Sequence, residues 1–253
     1  MLVTVDGIVL GRRGIGESGC FIDVLTDEYG VIEATAHGVR KLTSKNAGAV
    51  SLFSYSKFCF SKSGVRYTLN SAEPKFSFHG ISSDIEYLSL AAYFAEVMKD
   101  TTAPEQENEG MVRFMAITLY ELEKKNCPKE LIKAVFELRM TVFLGLEPDL
   151  RACRVCAEYE HEKMYFDHTE SCIVCGDCVE GYKRYDSDME LLLPELLYAM
   201  RYIIYSPVDR IYKGSFDTEL LPKLGRITEK YLLKQLDRDF RSLDYYKNIT
   251  HFG

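Results

Sequence analysis

Cys153-Arg-Val-Cys156 and Cys172-Ile-Val-Cys175-Gly-Asp-Cys178 place five cysteines within twenty-six residues. Thiols three positions apart reach one ion from a tight knuckle, and two such pairs close a tetrahedral thiolate shell around zinc. The gap between pairs is 15 residues if Cys172 and Cys175 form the second pair, and 18 if Cys175 and Cys178 do. Both fit the spacing of a structural zinc site. Two other readings compete: buried or disulfide-paired cysteines, and an iron–sulfur site built on the C-x2-C-x2-C run. Four thiolates leave no open position for water, so the zinc reading is structural rather than catalytic. His161 and His168 lie inside the segment as substitute ligands.

The remaining cysteines, Cys20, Cys59 and Cys127, stand alone and read as small core residues or inert thiols. The first residues carry no basic stretch followed by an apolar run, so no signal peptide is expected. Apolar runs are too short to span a bilayer. Together these point to a reducing cytoplasm, which favours thiolate–metal chemistry over disulfides.

With 253 residues, 47% of them hydrophobic, the chain can fold throughout as more than one domain. Its formal net charge of −7 argues against an indiscriminate nucleic-acid binder. Residues 1–80 depart from that balance, holding nine basic and seven acidic side chains, so a polyanion should prefer this part.

Upstream of the cysteines the pattern is β. Val3, Val5, Ile8 and Leu10 mark a first strand, Cys20–Thr26 a second, and Val31–Ala36 a third after the Asp27–Gly30 turn. Tyr55–Phe60 and Arg66–Ser71 are a fourth and fifth strand. Residues 46–52 could form a short helix between the third and fourth. Five strands in this order suit an OB-fold, with an SH3-like barrel or a sandwich as alternatives. From residue 81 the period becomes helical. Helices are expected at 84–100, 112–125, 129–144, 189–205 and 220–239, the last two after the cysteine module. The class is α+β, divided as 1–80 barrel, 81–150 first helical part, 151–181 zinc module and 182–253 second helical part.

No phosphate-binding loop, metalloprotease or nucleophile arrangement is present, and no carboxylate pair marks a tuned acid and base, so no enzyme is expected. Gly14, Gly16 and Gly19 sit between strands, where a flexible barrel loop is expected. Two basic clusters, Arg12/Arg13 and Arg40/Lys41/Lys45, read either as solvated surface or as a groove tracking single-stranded nucleic acid. Tyr55, Phe58, Phe60 and Tyr67 are stacking candidates, at least half of them core by alternation.

Ala134-Val-Phe-Glu-Leu-Arg-Met-Thr-Val-Phe-Leu-Gly-Leu-Glu-Pro-Asp-Leu150, followed by Cys153 and Cys156, resembles the signature of the bacterial RecO recombination-mediator family. Gly7-Ile-Val-Leu10, Gly38-Val-Arg-Lys41 with Ser44-Lys45, and Phe240-Arg-Ser-Leu243 extend the resemblance over nearly the whole chain. It implies an N-terminal OB-fold, a helical domain and one structural zinc. It implies that Cys175 and Cys178 complete the quartet, with Cys172 standing where the family has glycine. Ala157 also replaces a family glycine. The implied function is non-enzymatic: binding of single- and double-stranded DNA, strand annealing, and loading of RecA, with RecR and RecF, onto DNA coated by single-strand-binding protein. Arg40, Lys41 and Lys45 carry over as DNA contacts, with Arg12 and Arg13 added by location. The resemblance also implies binding of the acidic C-terminal tail of single-strand-binding protein. Arg139 is the candidate contact, against the alternative of an ion pair with Glu137 or Asp149. From a different class, a protein-interaction adaptor without DNA binding competes with this reading. A metal-dependent hydrolase is excluded by a closed thiolate shell.

Overall fold

The computed structural model describes residues 1–41, 44–182 and 188–251. Five strands, β1 (Leu2–Ile15), β2 (Gly19–Thr26), β3 (Gly30–Ala36), β4 (Ser54–Ser63) and β5 (Arg66–Ser77), close a barrel in the order β1-β2-β3-β5-β4. β4 returns to pair with β1, and β3 runs parallel to β5 over Ala34–Tyr67 and Thr35–Thr68. This is the five-stranded Greek-key order of an OB-fold. Alternation fills the lumen: Val5, Val9, Ile22, Val24, Ile32, Phe58 and Phe60 are buried, each worth about 1.5–3 kcal/mol of transfer from water. Gly7 is required in β1, because a Cβ there would lie 2.5 Å from the Leu25 carbonyl.

Two expectations change in this half. The Gly14–Gly19 run is a hairpin, β1 extending to Ile15 and β2 beginning at Gly19, not a loose loop. Residues 46–52 make successive turns instead of a helix, ending at Phe53 with φ 60° and its N–H on the Val9 carbonyl.

The chain divides into two compact units, residues 1–126 with 240–253 and residues 127–239. The first adds α1 (Ile85–Thr101), α2 (Met111–Lys124) and α7 (Arg241–His251) to the barrel. Asp84 caps α1, accepting from Glu86 N–H at 3.0 Å. The C-terminal helix α7, unforeseen in sequence, is anchored when Ser242 N–H donates to Glu96.

The second unit holds α3 (Lys129–Phe143), α5 (Pro194–Tyr205) and α6 (Leu221–Leu236) together with a four-stranded sheet. Its strands are β6 (Asp149–Cys153), β7 (Met164–Asp167), β8 (Cys172–Cys175) and β9 (Met189–Leu192), in the order β6-β8-β7-β9. The single-turn α4 (Val179–Tyr182) follows β8. Residues 189–205, expected as one helix, divide into β9 and α5, with Pro194 at the helix start where its missing N–H is harmless. No helix among the described residues is long and apolar enough to cross a membrane.

Candidate metal centre and nucleic-acid interface

β6 and β8 run parallel and end on cysteines. The sulfurs of Cys153, Cys156, Cys175 and Cys178 lie within 4.8 Å of one another. Cys156 and Cys175 Sγ atoms are 3.6 Å apart, close to the edge of about 3.8 Å of a zinc tetrahedron with 2.3 Å bonds, and too far for an S–S bond. Burial pushes the Cys153 thiol up, but N–H donors from Cys156, Cys175 and Val155 outweigh it and bring it down to about 6. Hydrogen bonds from Cys175 and Cys156 push Cys178 up to about 12. Four sulfurs converging at these distances match the donor set of one ion. The donor set therefore fits a tetrahedral thiophilic metal.

Cys172 stands apart from the quartet, its Sγ 3.3 Å from the Tyr182 hydroxyl. Neither histidine joins: His161 Nδ1 bonds with the Lys163 backbone, and His168 is buried with Nε2 3.4 Å from Glu190.

On the barrel the outer faces of β2, β3 and β5 line a cleft of about 840 Å³ that includes Phe21, Tyr29, Thr35, His37 and Arg66. The β1–β2 hairpin stands at one end. Arg12 and Arg13 are exposed on it. Arg13 pairs with Glu33 and lies 5.7 Å from the Phe21 ring centre. Arg40 is exposed beside the same hairpin, its N–H on the Ser18 carbonyl and Nη1 3.4 Å from the Gly16 carbonyl. Lys41 and Lys45 are exposed, and Leu42 and Thr43 of that loop lie outside the described residues. The structure thus gathers Arg12, Arg13 and Arg40 around the β1–β2 hairpin, with Arg13 on the Phe21 side of the sheet.

Of the aromatic candidates, Phe58 and Phe60 are core, stacked at 5.5 Å, and Tyr67 is buried against Phe60. Tyr55 is half-buried under Lys75. The aromatics facing the cleft are instead Phe21 and Tyr29, which the sequence reading did not nominate. It also passed over Arg66, placed on this face by the Gly64-Val65 turn. For Phe21 the signal was the out-facing register of β2, opposite the apolar set; Tyr29 and Arg66 sit at strand ends, where alternation gives none.

Arg139 is 8% exposed. Its Nη1 donates to the carbonyls of Ile203, Ile204 and Ser206 at the C-terminal end of α5, at 3.4, 2.7 and 3.3 Å. Neither suggested ion-pair partner is used: Glu137 holds Lys133, and Asp149 holds Arg151. A separate groove of about 650 Å³ runs beside the cysteine module, floored by Met164, Leu192 and Leu197 and walled by Tyr198, Arg201 and Tyr202.

The barrel, the helical part and the cysteine quartet make an architecture that comparison with known proteins identifies. The description Recombination protein O N terminal matches residues 1–78, and Recombination protein O C terminal matches residues 82–244. The chain belongs to the RecO family. A DNA repair protein RecO from Alkaliphilus metalliredigens is 30% identical over 250 residues, covering 98% of this chain and 100% of the relative. The RecO of Acetivibrio thermocellus is 26% identical over 244 residues, covering 96% of each. That of Desulforamulus reducens is 32% identical over 181 residues, covering 71% and 70%. RecO membership supports a role in DNA repair and recombination, and it agrees with the barrel and thiol cluster described above.

Proposed function

We propose that this protein is a non-enzymatic recombination mediator. It binds single- and double-stranded DNA, anneals complementary strands and, with RecR and RecF, helps load RecA onto DNA coated by single-strand-binding protein, in the cytoplasm at the nucleoid. The observation that carries this reading is the barrel cleft: Phe21 on β2 and Tyr29 in the β2–β3 turn, with exposed arginines at the β1–β2 hairpin and at the β4–β5 turn. Those two loops and strands 2–3 are where OB-folds hold oligonucleotides. Arg12, Arg13, Arg40, Lys41 and Lys45 contribute backbone contacts, which position without specifying.

One zinc on Cys153, Cys156, Cys175 and Cys178 fastens β6 to β8 and the turn after it. When bound it supplies folding energy and no reactive water position. For the tail of single-strand-binding protein, the carbonyl partners and burial of Arg139 support a structural role there. An apolar floor beside the Arg201 guanidinium supports the groove at Tyr198 as the docking site instead. Tyr198→Ala should then weaken binding of a tail peptide without moving the thermal midpoint.

An adaptor that docks proteins and leaves DNA alone is the second reading. One observation favours it: Arg13 and Lys62 each already hold a carboxylate. Annealing of complementary oligonucleotides, with and without single-strand-binding protein, separates the two. Acceleration supports the mediator, and unchanged annealing at low salt supports the adaptor.

A further inference from the structure

The segment between α1 and α2, residues 102–110, passes over the turn joining β2 and β3 and enters the cleft from the end opposite the hairpin. Backbone bonds fix it: Glu105 N–H donates to the Tyr29 carbonyl at 2.9 Å and Asn108 N–H to the Asp27 carbonyl at 2.7 Å. Gly30 makes the close approach possible, since a Cβ there would lie 2.2 Å from the Ala103 carbonyl oxygen. Glu105 takes a left-handed backbone, φ 63°, unusual for a residue with a side chain. That turn delivers its carboxylate to Lys62, Nζ to Oε2 2.6 Å, and to the Tyr67 hydroxyl, which donates to Oε1. The Lys62 ammonium also lies 5.1 Å from the Tyr67 ring centre and 5.8 Å from that of Tyr29. One cation beside a tyrosine hydroxyl, with the half-buried Tyr29 ring next to it at the wall of the cleft, is a site for a phosphate with a base stacked beside it. In this chain an internal carboxylate fills the anion position.

We propose that Lys62 and the Tyr67 hydroxyl form a phosphate subsite for single-stranded nucleic acid, with the half-buried Tyr29 ring as the base platform beside it, and that Glu105 occupies it as an internal competitor. The proposal rests on the reading of the cleft as a DNA-binding face. A strand entering from the hairpin end meets the exposed arginines there first and must displace Glu105 to run the whole cleft. The acidic character of the segment, Glu105-Gln-Glu107-Asn-Glu109, adds repulsion at the same end. Glu105 therefore sets how much of the cleft a strand uses at a given salt concentration.

The test is the affinity of the full chain for a fluorescent oligothymidylate, read by anisotropy over a salt series. Glu105→Gln should bind about two- to fivefold tighter than wild type at low salt, the scale of one exposed ion pair. Its plot of log affinity against log salt should be steeper by about one, as Lys62 gains a phosphate and releases a counterion. Glu105→Gly suits the left-handed backbone without strain and should behave alike. Glu107→Gln removes the same charge nearby and should gain less, with the salt slope unchanged because no cation is released to a phosphate. Lys62→Ala should matter little in wild type and should cancel the gain in Glu105→Gln. A Glu105→Gln gain no larger than that of Glu107→Gln, or one that survives Lys62→Ala, overturns the proposal while leaving the DNA reading intact. No binding by wild type or either Glu105 variant at low salt overturns the DNA reading itself.

Discussion

Lys133 and Glu137, one helical turn apart on α3, meet at 2.6 Å with side chains 9% and 0% exposed. Glu229 of α6 approaches the same ammonium at 2.8 Å, and Thr228 donates to Glu137 at 2.7 Å. Burial pushes the Glu137 carboxyl up, and it opposes the Lys133 charge, yet the two carboxylates hold that ammonium above its ordinary value. This is a buried network in which no charge can lose its partner cheaply. Lys133→Met should lower the stability of the second unit by about 3–5 kcal/mol, because it leaves Glu137 charged and dry. Lys133→Met combined with Glu137→Leu should cost less than the sum of the singles. Urea titrations of the four proteins measure this, and additive losses would show that the pair is not coupled.

Arg139 ties α3 to the last turn of α5 through three carbonyls that have no helical N–H to accept from. Arg139→Ala should lower the thermal midpoint, corresponding to about 2–3 kcal/mol for the lost charged hydrogen bonds. DNA affinity should be unchanged. A normal midpoint with lost peptide binding would restore Arg139 as a contact residue.

Asp84 caps α1 and accepts from Lys125 Nζ at 2.7 Å. Lys125 holds the carboxyl below its ordinary 3.8, against the opposing push of burial, helped by the Glu86 N–H. A carboxyl depressed in the folded state stabilises fully above its unfolded value of about 3.9, and the gain is lost as pH falls through the folded value. Acid titration of stability should therefore fall less steeply below about pH 4 in Asp84→Asn than in wild type. Because Asn caps as well as Asp, its loss at neutral pH should stay under about 1 kcal/mol. Parallel curves below that pH would remove Asp84 from the acid response.

One zinc per chain is expected in metal analysis of the purified protein. Chelation or Cys153→Ser should destabilise the second unit, since closing the knuckle supplies folding energy. Cys172→Ser should retain full metal content. Loss of zinc in Cys172→Ser would redraw the ligand set, and an iron–sulfur absorption band would change the metal.

Sequence legibility followed how local the signal was. Strand alternation from Val3 to Leu69 disclosed all five barrel strands, because each in-facing residue had to be apolar. Helices α1, α2 and α3 were readable from their caps and stops, Asp84 and the Asn126-Cys-Pro128 break among them. The cysteine spacing located the candidate metal centre, but choosing Cys178 over Cys172 needed the family resemblance. Spacing allows either pair, and only the β6–β8 register turns Cys172 toward Tyr182. The sheet around the knuckle stayed hidden because its strands have four or five residues, too few for a period. Residues 46–52 looked helical, yet they must turn Phe53 onto Val9 to close the barrel. The cleft was the least legible: Phe21, Tyr29, Arg66 and Glu105 come from separate segments joined only by barrel closure and the α1–α2 loop.

The central claim is that the barrel face grips a phosphate backbone between its two basic loops. Its most direct test is the salt dependence of single-strand binding for Arg40→Ala with Arg66→Ala, one residue from each end. The double variant should bind more weakly, with a log–log salt slope shallower by up to about two, and equally so for homopolymer and mixed sequences. Affinity and slope identical to wild type would contradict the claim.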